Sequence, residues 1–296
     1  MAEIFCIYHA NCSDGVGAAF SAWKHFGTAA KYLPYNYGMP LPEVPEGSVI
    51  FCLDFSFKKE VMESDWIKGK TMAILDHHVT AQEDLKGLPE ILGNINDELQ
   101  QGVSSRFDMT KSGAMLAWEY FHPTVMPPLL IEYIQDRDLW KFELIMTREI
   151  TAYLFSEEQK FEKWLEIETM LETFEGFQSA VAQGTAILRE NDKTVKMIAR
   201  QAFWGEINGH KTIIVNATST WSDVGHFLLD EKPDAIISAS YYRLREGKIK
   251  WSLRSRKDFN CAEVAKSFGG GGHAQAAGMV ITAEQSASIF GPSNFC

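Results

Sequence analysis

Three apolar runs near the start of the chain each break off at polar residues: IFCIY at HANCSD, VIFCL at DFS, and MAIL at DHH. Between them lie stretches with helical period, GVGAAFSAWKHF (15–26) and KKEVMESDWIKG (58–69), and a further strand is expected in AAKYLPY (29–35). Uniformly apolar strands that alternate with helices predict a parallel sheet covered on both faces. Ligands of such sheets gather beyond the carboxyl ends of the strands. His9, Asp14, Asp54, Asp76, His77 and His78 are therefore expected along one rim.

Further on, SGAMLAWEYF (112–121) and LLIEYIQDRDLWKF (129–142) read as helices, and residues 150–203 are charged and periodic enough to form a helical layer. The character then changes. INGHKTIIVNA (207–217) predicts a hairpin turning at Asn208-Gly209. AIISASYYRL and KIKWSLRS predict strands, and AEVAKSF a short helix. The four glycines 269–272 and His273 follow, with AQAAG expected to open another helix. A loop of glycines before a helix could hold an anion on its backbone N–H groups. The chain is thus expected to hold two α/β units that meet at about residues 185–205.

Composition narrows the function. Lys and Arg number 28 against 39 Asp and Glu, a net charge of −11. That balance argues against a broad basic face for long duplex nucleic acid, whose affinity rests on phosphate neutralisation. It leaves room for a short anionic substrate held by cations and a few arginines. The five cysteines (Cys6, Cys12, Cys52, Cys261 and Cys296) form no C-x-x-C pair and point to a reducing compartment. MAEIF lacks the features of a signal peptide, and no apolar run nears the roughly 20 residues of a membrane span. A soluble cytoplasmic protein without a membrane partner is expected, and a homodimer is left open.

Imidazoles set among carboxylates suit Mn²⁺, or Mg²⁺ with fewer nitrogens, better than a thiolate zinc site. A pair of such ions needs a bridging carboxylate, and Asp54, at the end of the second apolar run, is the candidate. In QDRDLWKF, Arg137 and Asp138 read as a solvated, salt-bridged helix end. Arg254 and Arg256 close a strand, where guanidinium forks suit phosphate, one of the two being expected to be only a surface charge.

Taken in order, H-x-N-x-x-D-G, LDFS, LDHH, DRDLW, SLRS and GGGGHAQAAG resemble the DHH phosphoesterase superfamily, and the last of these resembles its DHHA1 domain. The resemblance covers nearly the whole chain. It implies an N-terminal parallel-sheet DHH domain with a helical connector at its end (1–190), joined to a smaller α/β DHHA1 domain (200–296). It implies two Mn²⁺ ions, with Mg²⁺ as an alternative, on His9, Asp14, Asp54, His77 and Asp136. His78 would contact the scissile phosphate, Asp76 would support its neighbouring histidine, and Arg254, Gly270, Gly271, Gly272 and His273 would hold the far end of a nucleotide.

One departure stands out. Many members show H-x-D-x-D-G, whereas H-x-N-C-S-D-G is one residue longer and carries one carboxylate fewer. That implies either a weaker first metal or substrate contact by Asn11. The activity implied is hydrolysis of short oligonucleotides or small nucleotide phosphoesters by metal-activated water. A cyclic-dinucleotide phosphodiesterase, a 3′-phosphoadenosine 5′-phosphate phosphatase and a non-catalytic nucleotide-binding module are the competing readings.

Overall fold

The computed structural model describes residues 2–290; Cys296 and the last part of the 200–296 span lie outside them. The chain divides into two compact units at residues 188 and 189, inside one long helix.

In the first unit, β1 (Ile4–His9), α1 (Ser13–Phe26), β2 (Ala30–Tyr35), β3 (Val49–Leu53), α2 (Lys59–Met62), β4 (Thr71–Asp76), α3 (Val79–Asp84) and β5 (Gly102–Phe107) follow in order. The strands form one sheet, β2-β1-β3-β4-β5, with every pairing parallel. Side chains alternate between two apolar layers, as successive strand residues must. Cys6, Phe51, Leu53, Ala73 and Leu75 face α1 and α4 (Gly113–Phe121), while Phe5, Ile7, Ile50, Cys52, Met72 and Ile74 face Phe55, Phe57, Met62 and Leu85. This double burial is why the runs lack polar residues until their ends.

Beyond α4 come α5 (Leu129–Asp138), α6 (Thr147–Ser156), α7 (Phe161–Leu171) and α8 (Phe174–Ala199). They pack around Trp164, Phe20 and Trp118 in a helical core. Chain order and strand order reverse between β1 and β3: β2 lies on one side of β1, and β3, β4 and β5 lie on the other. The crevice at such a switch point is where open α/β sheets bind ligands, and His9 and the residue after Leu53 flank it.

The second unit holds β6 (Phe203–Ile207), β7 (His210–Asn216), α9 (Trp221–Glu231), β8 (Ile237–Arg243), β9 (Ile249–Ser255), α10 (Cys261–Ser267), β10 (Gly271–His273), β11 (Ala276–Ile281) and α11 (Ala283–Phe290). Its sheet runs β10-β11-β9-β8-β7-β6, with only β7 and β8 parallel. Asn208 (φ 51°) and Gly209 (φ 82°) make the expected β6–β7 turn, both positive as a type I′ turn requires.

Three expectations are corrected. KKEVMESDWIKG is a four-residue helix and a 3₁₀ turn, Asp65–Ile67, rather than one continuous helix. GVSSRF, not expected as a strand, is the edge strand β5; its alternation is masked because Ser104 and Ser105 occupy its buried positions. AQAAG opens no helix, since Ala276–Ile281 is a strand paired with β10 and β9. The last two glycines instead enter β10, the hairpin turns at Ala274-Gln275, and a Cβ on Gly272 (φ 140°) would meet the Ala276 carbonyl at 2.6 Å.

Ile74 sits fully buried in β4, between β3 and β5 of the parallel sheet. Ile74→Ala is expected to cost about 2–5 kcal/mol, read as a lower urea midpoint at unchanged slope.

Candidate metal centre

β1 delivers His9, after which the chain turns through Asn11, whose φ of 56° is one that Asn tolerates better than most residues. Ser13 then starts α1 and puts Asp14 in its first turn. Asp54 follows β3 directly and also has a positive φ, 53°. This conformation, costing of order 1–3 kcal/mol in a non-glycine residue, swings the carboxylate back over the strand ends. Gly113 makes it sterically possible: a Cβ there would lie 2.4 Å from the Asp54 Cβ. β4 ends at Asp76, and His77 and His78 follow in the turn before α3.

These ends converge. Asp54 is 1% exposed, with Oδ1 3.1 Å from His77 Nε2 and Oδ2 3.4 Å from His9 Nδ1. Neither oxygen has a hydrogen bond of acceptable geometry. Asp14 Oδ2 lies 3.4 Å, and Asp138 Oδ2 3.7 Å, from the same His77 Nε2. The Asp14 carboxylate is aimed by α4, accepting from the Gly113 N–H at 2.5 Å and the Ala114 N–H at 2.9 Å. One ligand atom from each of Asp14, Asp54 and His77 lies within 4.8 Å of the others; the same holds for His9, Cys12 and Asp54, and for Asp54, Asp76 and His78. Asp54 is common to all three groups and turns a different oxygen to His9 and to His77.

Protonation shows the strain of gathering these charges. Burial works to raise Asp54, yet His77 and His9 hold it well below the usual carboxylate range. Burial, Asp138 and Asp54 push Asp14 well up, and burial also raises Asp138. Burial would lower His77, but Asp54, Asp138 and Asp14 carry it to about 11. A buried carboxylate cluster without a cation thus neutralises itself with protons. Divalent ions would replace those protons. The orphaned Asp54 oxygens and the mixed imidazole and carboxylate donors fit such ions.

Asp76 lies behind the two histidines. Its Oδ1 accepts from the His77 and His78 backbone N–H groups at 2.7 and 3.2 Å and meets His78 Nδ1 at 2.7 Å; its Oδ2 accepts from Ser56 Oγ at 2.5 Å. Burial opposes a charge there, but His78 and Ser56 outweigh it and lower the Asp76 carboxyl; Asp76 in turn raises His78 against burial.

Asp136 must be corrected. Its Oδ1 accepts from the Glu143 N–H at 2.9 Å, and its Oδ2 from the Leu144 N–H at 3.1 Å and Thr147 Oγ1 at 2.5 Å. It clamps the loop between α5 and α6, while Asp138, read from sequence as solvated, joins the cluster. Two positions apart on a helix are about 200° apart around it, so only one of the pair can face the rim. The Arg137 guanidinium lies 4.1 Å over the Trp140 ring. Asn11 is exposed, and its visible contribution is the turn.

In the second unit, His273 pairs with Ala276, Ala276 with Arg254, and Arg254 with Ser238. Directly paired residues share a sheet face, so His273 and Arg254 stand on one face, two strand spacings or about 10 Å apart, with only an alanine between them. Arg254 donates to Ser222 Oγ in the first turn of α9 at 2.5 Å. Arg256 is structural: it donates to the Ala235, Leu229 and Lys232 carbonyls around the end of α9.

Exchanging the two aspartates separates their roles. Asp136→Ala is expected to cost about 2–4 kcal/mol of stability, by stranding buried donors, at unchanged Mn²⁺ affinity. Asp138→Ala is expected to weaken Mn²⁺ about tenfold or more at nearly unchanged stability. Calorimetric metal titration and urea unfolding of both proteins decide this. The same titration should show a pH dependence: His77 must give up a proton held to about pH 11, so the affinity rises with pH from 6 to 9, by up to about tenfold per unit for each proton displaced.

Comparison with known proteins bears on the family and the fold. Residues 192–290 match the DHHA1 domain family model. An uncharacterised protein of Acanthamoeba polyphaga mimivirus is 32% identical over 93% of this chain and 67% of its own length. The oligoribonuclease NrnB of Bacillus subtilis is 24% identical over 95% of this chain and 74% of its own. A solved DHH domain from a member of the s1p family of ribosomal proteins superposes with a TM-score of 0.57 at 13% identity, covering 98% of this chain and 85% of that one. With the LDHH rim in the first unit and a DHHA1 domain in the second, the chain belongs to the DHH phosphoesterase superfamily.

Proposed function

We propose that the protein is a phosphoesterase that hydrolyses short oligonucleotides or small nucleotide phosphoesters with two divalent ions, Mn²⁺ or Mg²⁺, at the first unit's rim. One observation carries the reading: the buried Asp54 carboxylate, lacking hydrogen bonds, turns one oxygen to His9 and the other to His77. A carboxylate buried this deeply needs positive charge beside it, and a cation on each side would supply it in place of the His77 proton. His9 and Asp54 would hold one ion; Asp14, Asp54, His77 and Asp138 would hold the other.

Bound ions would polarise a phosphoryl oxygen and bring a water's pKa toward neutrality. The chain's own contribution is orientation. Asp76 fixes the His78 ring through Nδ1 and raises its pKa against burial, which favours a ring that offers Nε2–H to charge developing on a phosphoryl oxygen. Gly113 and the α4 N-terminus hold Asp54 and Asp14 in place before substrate arrives. In the DHHA1 unit, Arg254 and His273 offer guanidinium and imidazole groups suited to phosphate, whereas the Gly270 N–H is already spent on the Ala265 carbonyl.

The net charge of −11 favours short substrates over long duplexes, and the relative NrnB is named an oligoribonuclease. Cyclic dinucleotides and the adenosine bisphosphate are the alternatives. The test is incubation of purified protein and Mn²⁺ with labelled di- to pentanucleotides, cyclic dinucleotides and the bisphosphate. Release of mononucleotides from the short oligomers is expected, reduced at least about 100-fold by Asp54→Asn, beyond the loss of a mere supporting partner. Turnover of none of these substrates would end the proposal.

A further inference from the structure

The first motif lacks one carboxylate of the usual H-x-D-x-D-G pattern, and Cys12 stands in the lengthened turn. Three other cysteines are packed in carbon: Cys6, Cys52 and Cys261 belong to the apolar cores. Among the described residues Cys12 alone sits with imidazole and carboxylate, its sulfur within 4.8 Å of a His9 nitrogen and an Asp54 oxygen. The independent sign is Asp54, 1% exposed, whose Oδ2 has no hydrogen bond and opens toward His9 Nδ1.

We propose that Cys12 is a metal ligand, its thiolate joining His9 and one Asp54 oxygen on the first ion. This rests on Asp54 bridging two ions, as in the proposed function. On binding, the S–H proton passes to solvent as the sulfur–metal bond forms, and no redox change occurs. A thiolate makes the position softer, so it takes Zn²⁺, Co²⁺ or Fe²⁺ ahead of Mg²⁺ and Mn²⁺. The second position, made of oxygens and one imidazole, keeps the harder set. The unusual spacing thus exchanges a carboxylate for a sulfur and changes which metal the centre selects.

Cobalt reports the bond without turnover. The metal-free protein, titrated with Co²⁺, should develop a near-ultraviolet thiolate-to-cobalt charge-transfer band as it takes up two equivalents. Cys12→Ser should lose the band while still binding cobalt at the second position. Cys12→Asp should also lack it and shift relative affinity from Zn²⁺ toward Mn²⁺ by about tenfold or more. X-ray absorption of the zinc-loaded wild type needs no variant: one sulfur at about 2.3 Å per two zinc ions is expected. Two bound ions with no sulfur signal, or a band that survives in Cys12→Ser, would overturn the Cys12 assignment and leave the metal centre standing. No metal bound at all would overturn both.

Discussion

Like charge held out of water is the constraint on which the rest of this structure depends. Asp14, Asp54 and Asp138 surround one imidazole nitrogen of His77. Their mutual repulsion and lost hydration would exceed what a marginally stable domain tolerates if nothing positive joined them. The fold holds them nonetheless, because each is set by backbone packed elsewhere: Asp14 by α4, Asp54 by its register after β3, and Asp138 by the end of α5. The parallel sheet is buried on both faces, so its strand ends cannot slide to relieve the crowding.

Much of this was legible in the sequence. Strands that stay apolar until their last residue announce a buried parallel sheet, and the polar residues that end them mark its working edge. His9, Asp14, Asp54 and His77 could be gathered in this way without coordinates. β5 could not be read, because an edge strand needs little apolar character and buried serines look like loop. AQAAG misled for a related reason: small residues suit a helix, but here they let a glycine hairpin lie flat along β9.

The Asp136 and Asp138 exchange shows a deeper limit. Both lie at the end of the same helix, two residues apart, and composition gives each an equal claim. What separates them is rotation about the helix axis, which depends on where Thr147 and the Glu143–Leu144 backbone return. That is long-range information, absent from a motif. The two aspartates divide the work: Asp136 closes the loop after α5, and Asp138 faces the cluster.

A similar economy appears in the strained Asp54. Its side chain has room to sit there because residue 113 is glycine, and the same glycine's N–H fixes Asp14. One position in α4 thus sets two carboxylates that come from different strand ends. Replacing either acid alone would leave the other strained or buried without purpose, which makes the cluster a unit rather than a sum of ligands. The hydrophobic sheet supplies the stiffness, the glycine supplies the room, and the gathered buried carboxylates supply the attraction for a cation.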